Sequence, residues 1–131
     1  MAVKDYDLQY SGEQQQFGTG AIRDKQTGKG RFDLLPPDAL KRLAIHFEKG
    51  AEKYGGRNWE KGIPVSRYLD SALRHAFAYL AGKNDEDHLV AAAWNLVTGL
   101  ATETRALEGS LPASLCDVGP NAFVDKKPET K

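Results

Sequence analysis

Residues 87–103, with the sequence DHLVAAAWNLVTGLATE, decide the fold of this chain. A helix drawn through this stretch is apolar on nearly every side, which is more than one core-facing stripe requires. We predict a helix with Asn84 as its N-cap that runs to about Glu108, before Gly109. Such a helix is either central to a bundle or the one that pairs with a second subunit.

Three polar residues interrupt this helix at intervals of seven, namely His88, Asn95 and Thr102. They form one row and must find hydrogen-bond partners if they are buried. They either fix the packing of neighbouring helices or line a pocket. The acidic run at 85–87 beside His88 could hold a divalent cation, or could simply complement the positive end of the helix.

Two shorter helices precede the apolar one. The first begins at Pro36 or Pro37, where a missing N–H costs nothing, and ends before Gly55, while the second covers about 65–81. Apolar residues at spacings of three and four predict one buried stripe on each helix. The first stripe contains Leu40, Leu43, Ala44, Phe47, Ala51 and Tyr54, and the second contains Leu69, Ala72, Leu73, Ala76 and Leu80.

Charged residues flank both stripes. Glu48 and Glu52 are one turn apart and could jointly bind Mg²⁺ or Mn²⁺, although pairing with nearby lysines is an equally simple use of them. Arg74 could pair with Asp70 or place its guanidinium on a phosphate, and His75 lies next to it. Spacing alone leaves these alternatives open.

A basic segment and an aromatic turn complete the candidates. The segment RDKQTGKGRFD carries Lys29 and Arg31 between glycines, so that it could approach an anion or remain a solvated loop, but it lacks the P-loop pattern. The turn after the first helix contains Asn58 and Trp59. An aromatic face beside an amide suits a nucleobase, and Trp59 could equally cover the core.

The bulk composition limits the function classes. The chain has 131 residues, 18 basic and 18 acidic side chains and one cysteine, Cys116. We therefore expect a cytoplasmic protein with no nucleic-acid partner, no membrane partner and no disulfide framework. The predicted organisation is an irregular arm at 1–33, a helical domain at 34–109 and an irregular tail at 110–131.

Four segments in order, GKGRFDLLPP, GAEKYGGRNWEKG, YLDSALRHAFAYLAG and DHLVAAAWNL, together resemble a known family. They are similar to the phage-borne dATP/dGTP diphosphohydrolase domain of N-terminal type, a relative of the MazG-like nucleoside triphosphate pyrophosphohydrolases. The resemblance covers roughly Lys29 to Glu103. It implies an all-α, MazG-like helical bundle completed by dimer or tetramer assembly. It also implies Mg²⁺-dependent cleavage between the α and β phosphates, giving a nucleoside monophosphate and pyrophosphate.

The resemblance also implies site residues. Of the dense carboxylate set of MazG-like enzymes, this chain keeps Glu48 and Glu52, and it has Ala91 where related phage domains tend to carry a metal-capable residue. Loss of a ligand weakens metal binding and puts hydrolysis in doubt. The positions that match the related domains are Lys29, Arg31, Asp33, Lys53, Tyr54, Asn58, Trp59, Arg74, His75, His88 and Asn95.

The leading hypothesis is a pyrophosphohydrolase acting on a purine deoxynucleotide. Glu48, Glu52 and Asp87, with His88 beside them, would hold Mg²⁺ (or Mn²⁺) and carry the catalysis. The alternative is a binding protein of the same fold that sequesters a nucleotide signal of bacterial defence, and a third possibility is an assembly component. Under the first two hypotheses the nucleotide contacts are Lys29, Arg31, Lys53, Asn58, Trp59, Arg74, His75 and Asn95.

Overall fold

A computed structural model describes residues 4–10 and 12–119 of the chain. Within them the fold is helical, as predicted, with helices α1 (Pro37–Tyr54), α2 (Val65–Leu80) and α3 (His88–Glu108). The chain divides into two compact units, with the boundary between Leu35 and Pro36. The three helices belong to the second unit. Among the described residues, no helix is long and apolar enough to cross a membrane.

The first unit holds one short hairpin in an otherwise irregular arm. Strands β1 (Gln14–Gln16) and β2 (Ile22–Asp24) pair antiparallel, with Gln15 opposite Arg23. Neither strand has the alternating apolar pattern that marks a half-buried strand, so periodicity does not predict this hairpin. A short 3₁₀ helix at Phe32–Leu34 precedes the helical unit.

The predicted bounds of the first two helices are confirmed. Pro37 is the first residue of α1, where its missing N–H leaves no hydrogen bond unmade. Helix α1 ends at Tyr54, and Gly55 follows as its C-cap. The φ of Gly55 is 91°, a conformation that glycine adopts without strain. Helix α2 begins after Pro64 and stops shortly before Gly82.

The predicted N-cap of α3 is wrong by three residues. Asp87 caps the helix in place of Asn84, because its side chain accepts a hydrogen bond from the backbone N–H of Val90 at 3.2 Å. Residues 85 and 86 therefore lie in the turn that precedes the helix. The Glu86 carboxylate reaches His75 of α2, whereas the Asp85 carboxylate contacts His88 at the start of α3.

The contact between α2 and α3 is made by small and polar residues. A Cβ atom built on Gly99 would lie 3.2 Å from the Cβ of Tyr68, so the two helices approach closely there. Thr98 and Thr102 are fully buried, and each hydroxyl donates to the carbonyl four residues earlier in the helix. Since the helix itself satisfies these hydroxyls, threonine can fill a narrow interface without a partner from α2.

The predicted buried stripes are therefore only partly correct for a single chain. Helix α2 buries Tyr68 and Ala72, whereas Leu73 and Leu80 of the predicted stripe are 58% and 79% exposed. No described residue of α1 is fully buried. Large apolar side chains form an outer face on the second unit, which comprises Leu73, Phe77, Leu80, Leu96, Val97 and Leu100.

The start of the predicted tail packs on the helical unit. The Asp117 carboxylate accepts a hydrogen bond from the backbone N–H of Ser66 at 2.9 Å and a second from the Ser66 hydroxyl. These bonds lower the pKa of Asp117 and satisfy a free N–H group in the first turn of α2. Residues 120–131 of the predicted tail lie outside the described residues.

Candidate functional site

A cavity of about 300 Å³ lies in the helical unit, between the turn after α1 and helices α2 and α3. This volume is at the lower end of the range for small-molecule sites. A second cavity, of about 130 Å³, shares the aromatic residues Tyr54, Trp59 and Trp94 with the first. The larger cavity is lined by Tyr54, Asn58, Trp59, Ile63, Arg67, Tyr68, Ser71, Trp94 and Asn95.

Aromatic rings form the walls of the two cavities. The ring centroid of Trp94 lies 5.7 Å from that of Phe47 and 6.3 Å from that of Tyr68, and Trp59 lies 6.2 Å from Phe47. The Arg105 guanidinium lies 4.9 Å from the centroid of the Trp59 ring. These contacts hold flat apolar surfaces in fixed positions, which suits the stacking of a planar ring.

The residues of the cavity wall include one with an unpaired donor and one with a buried amide. The indole N–H of Trp94 is buried without a hydrogen-bond partner, a costly state that a ligand acceptor would relieve. Asn95 is buried too, and its amide donates one hydrogen to the carbonyl oxygen of Ala91 at 2.8 Å. An amide has further donor and acceptor capacity. The structure thus brings Asn58, Trp59 and Asn95 of the predicted nucleotide contacts to one cavity.

Two arginines of α2 lie at and beside this cavity. Arg67 lines it and is 3.4 Å from the Asp70 carboxylate. Arg74 contacts the same carboxylate at 3.2 Å and the Ser71 hydroxyl at 2.9 Å, and its side chain remains exposed. Arg67 was not among the residues predicted from the sequence. It lies four residues before Ser71 and seven before Arg74, so all three share one helix face.

The predicted metal ligands occupy separate environments. Glu48 and Glu52 are exposed on α1. Both carboxylate oxygens of Asp87 bond to Arg42, at 2.5 and 2.7 Å, and this pairing lowers the pKa of Asp87. A metal ion at Asp87 would therefore have to displace the guanidinium.

Histidines converge where α2 meets the start of α3. The Nδ1 atoms of His75 and His88 lie 3.0 Å apart, and an oxygen of Glu86 lies 3.2 Å from the first and 3.5 Å from the second. The other nitrogen of His88 is 2.7 Å from the Asp85 carboxylate, a contact that lowers the pKa of Asp85. Within the described part of the chain, His75, Glu86 and His88 are the one group of three metal-capable side chains whose ligand atoms lie within 4.8 Å of one another.

The third histidine of the sequence, His46, approaches the same corner from α1. Partial burial lowers its pKa, while the charges of Asp87 and Glu86 act in the opposite direction. Its ring lies 5.9 Å from that of Trp94. His46 was not among the predicted site residues, because an isolated histidine on a partly apolar helix belongs to no recognisable motif.

The remaining predicted contacts are exposed. Lys53 lies with its ammonium 5.1 Å from the centroid of the Tyr54 ring. Lys29 and Arg31 belong to the first unit, where Arg31 makes two hydrogen bonds to Asp33, at 2.8 and 2.7 Å. Those bonds lower the pKa of Asp33. Their role as phosphate contacts stays a prediction.

Residues 19–109 match the family model of the dATP/dGTP diphosphohydrolase N-terminal domain. The match covers more than half of the chain and includes all three helices, so the chain belongs to this family. No curated protein and no solved structure matches the chain. The family bears the name of a nucleotide hydrolase, which agrees with the class of activity expected from the sequence.

Proposed function

We propose that this member of the dATP/dGTP diphosphohydrolase N-terminal family hydrolyses a purine deoxynucleoside triphosphate between its α and β phosphates. The products would be the monophosphate and pyrophosphate. The observation that carries the proposal is the aromatic cavity, because its walls offer stacking surfaces to a flat ring. Its lining residues also include Asn95, with a buried amide, and Trp94, whose indole N–H has no partner.

The base would enter the cavity and the phosphates would extend along α2. Asn58 and Asn95 supply amide groups that can read a base edge, and Trp59 supplies a stacking face. Within the described part of the chain, Arg67 and Arg74 pair with the same carboxylate, that of Asp70, so two positive charges face one negative charge. The surplus charge suits a polyphosphate, which arginine can bind through two parallel hydrogen bonds. Lys29 and Arg31 are further candidates from the first unit.

Glu48 and Glu52 fit a hard cation such as Mg²⁺. They are two exposed carboxylates one helical turn apart, and Mg²⁺ is usually held by one or two carboxylates together with substrate phosphates and water. Mn²⁺ has the same ligand preferences. When bound, the ion would polarise a phosphate oxygen and lower the pKa of an attacking water. Asp87 holds Arg42, so we assign the metal to the two glutamates.

The outer face of α2 and α3 supports assembly into a dimer or tetramer. Leu73, Phe77 and Leu80 of α2 and Leu96 and Leu100 of α3 each have more than half of their surface exposed in the single chain. A contiguous apolar surface of this kind marks an interaction site in a protein that stays in solution. A second copy of the chain would cover it and could bring further ligands to Glu48 and Glu52.

The test is a panel of the four deoxynucleoside triphosphates with Mg²⁺ or with a chelator, followed by pyrophosphate release and product identity. We expect Mg²⁺-dependent formation of monophosphate from dATP or dGTP. Glu52→Gln should lower turnover by at least about a hundredfold with an unchanged melting temperature. Glu108→Gln, at the exposed end of α3, is the matched control. Unchanged turnover by Glu52→Gln would remove Glu52 from the mechanism.

A second candidate is a protein that binds and sequesters a nucleotide without cleaving it, for example a signal of bacterial defence. Two observations favour it, namely the commitment of Asp87 to Arg42 and the apolar, buried Ala91 one turn after His88. It predicts a raised melting temperature with a cyclic or linear nucleotide that is then recovered intact. Release of pyrophosphate in the same assay would reject it.

A further inference from the structure

We propose that His75, Glu86 and His88 bind a divalent transition-metal ion of the zinc, cobalt and nickel class. This site is distinct from the two glutamates assigned to Mg²⁺ on α1. Its ligands come from α2, from the turn before α3 and from the first residue of α3, so the fold alone brings them together. The proposal does not depend on the nucleotide chemistry.

The spacing of the ligand atoms fits a single ion. Two atoms that are both about 2.1 Å from one metal ion lie about 3.0 Å apart at a right angle and about 3.4 Å apart at the tetrahedral angle. The three observed separations, 3.0 Å between the histidine nitrogens and 3.2 and 3.5 Å to the Glu86 oxygen, fall at or close to these values. One ion can therefore contact all three atoms with little movement of the side chains.

Asp85 fixes the tautomer that a metal ligand needs. Its carboxylate accepts a hydrogen bond from Nε2 of His88 at 2.7 Å, so Nε2 carries the hydrogen and Nδ1 keeps its lone pair. Metal-binding histidines commonly donate their second nitrogen to a carboxylate in this way, which orients the ring and strengthens the ligand. This bond is a second observation that points to a cation at Nδ1 of His88.

The burial of the ligands separates this site from a surface acidic cluster. The His88 side chain is 8% exposed and His75 is 22% exposed, so both rings are held by packing. Glu86 is 54% exposed and forms the side of the site that faces solvent. Three protein ligands leave coordination positions open to water or to a phosphate oxygen, as in catalytic metal sites.

The donor set indicates the class of ion. Imidazole nitrogens favour zinc, copper, iron and nickel, whereas Mg²⁺ and Ca²⁺ prefer oxygen ligands. Two imidazoles and one carboxylate therefore select against Mg²⁺. The competing explanation of the same contacts is a single hydrogen shared between His75, His88 and Glu86, with no metal involved.

The experiment uses the full chain after chelator treatment and dialysis, titrated with CoCl₂ or ZnCl₂ in the absence of nucleotide. Co²⁺ binding is followed by visible absorption and Zn²⁺ binding by calorimetry. We expect one ion per chain. His75→Gln and Glu86→Gln should each weaken binding by about tenfold or more. His46→Gln, a nearby histidine outside the ligand set, is the matched control and should bind as the parent does.

Failure to bind either ion at micromolar concentration would overturn the proposal in favour of the shared hydrogen. Equal affinity of the parent and His75→Gln would overturn it too. Because Glu86 is largely exposed, Glu86→Gln remains informative if a histidine variant is unstable. Loss of nucleotide hydrolysis with intact Co²⁺ binding would count against the proposed function alone.

Discussion

The histidine cluster and the glutamate pair of α1 are both candidate metal sites, but they are built in opposite ways. The cluster gathers His75, Glu86 and His88 from three parts of the fold, with His88 buried and His75 half-buried. The pair consists of Glu48 and Glu52, two exposed neighbours on one helix. The first has a ligand set within one chain, whereas the second needs a substrate or a second copy to complete it.

This difference determines the conditions under which each site can be tested. A site that is complete in one chain should keep its affinity in a monomer and without substrate. A site made of two exposed carboxylates should depend on assembly and on the phosphates of the ligand. Variants that affect one candidate metal site and leave the other unchanged therefore test whether the two sites are distinct.

The largest effect is expected for the double variant Glu48→Gln/Glu52→Gln. Turnover should fall by more than about a hundredfold, since neither carboxylate of the proposed Mg²⁺ pair would remain. The absorption of bound Co²⁺ at the histidine cluster should be unchanged. Loss of Co²⁺ binding together with turnover would mean that the two regions form a single site.

The next effect is expected for Leu100→Lys on the outer face. Burying a charged ammonium opposite another apolar surface is costly, so the variant should dissociate to single chains, as measured by light scattering. Turnover should fall with the assembly, whereas Co²⁺ binding should persist. Leu100→Met keeps the apolar surface and is the control. An unchanged mass would show that this face is not the interface.

A smaller effect is expected for Trp94→Phe in the wall of the aromatic cavity. Phenylalanine keeps an aromatic wall but removes the indole N–H, which has no partner within the protein. Nucleotide affinity should fall by about three- to tenfold, the value of one hydrogen bond, while the melting temperature should not fall. Isothermal titration with the preferred nucleotide measures this. Equal affinity would show that the N–H does not contact the ligand.

The smallest effect concerns the Arg42–Asp87 pair, which links α1 to the start of α3. The pair lowers the pKa of Asp87, so its stabilisation is present above the ordinary aspartate pKa of about 3.9 and is lost as the pH falls through the lower folded value. Arg42→Ala should therefore reduce the unfolding midpoint in urea at pH 6 by a small amount. The difference from the parent should shrink below pH 3. A pH-independent difference would point to lost packing instead.

Local sequence patterns predicted the helices well. Proline and glycine positions fixed α1 and α2, because these residues act on the backbone where they stand. The cap of α3 was misplaced because Asn84 and Asp87 are both good caps by residue type. In the folded chain Asp87 accepts the capping hydrogen bond from Val90 and also pairs with Arg42 of α1, a contact between two helices that local sequence does not show.

Contacts between distant parts of the chain could not be predicted from local sequence, either in the core or among the candidate site residues. Periodicity identifies apolar faces but does not tell which face meets its own chain, so Leu73 and Leu80 were assigned to the interior. It also cannot show that His75 on α2 reaches His88 on α3. Residue chemistry and the family resemblance suggested Asn58, Trp59 and Asn95, and the fold places all three around one cavity. Their contact with a nucleotide stays a prediction.

The close approach at Gly99 and Tyr68 has a consequence for the order of assembly during folding. The two helices that meet there are joined by the short turn at 81–87, so little chain entropy is lost when they pair. Helix α1 joins through more distant contacts such as that of Phe47 with Trp94. We therefore expect the chain to acquire its histidine cluster early in folding, and its aromatic cavity only when α1 docks.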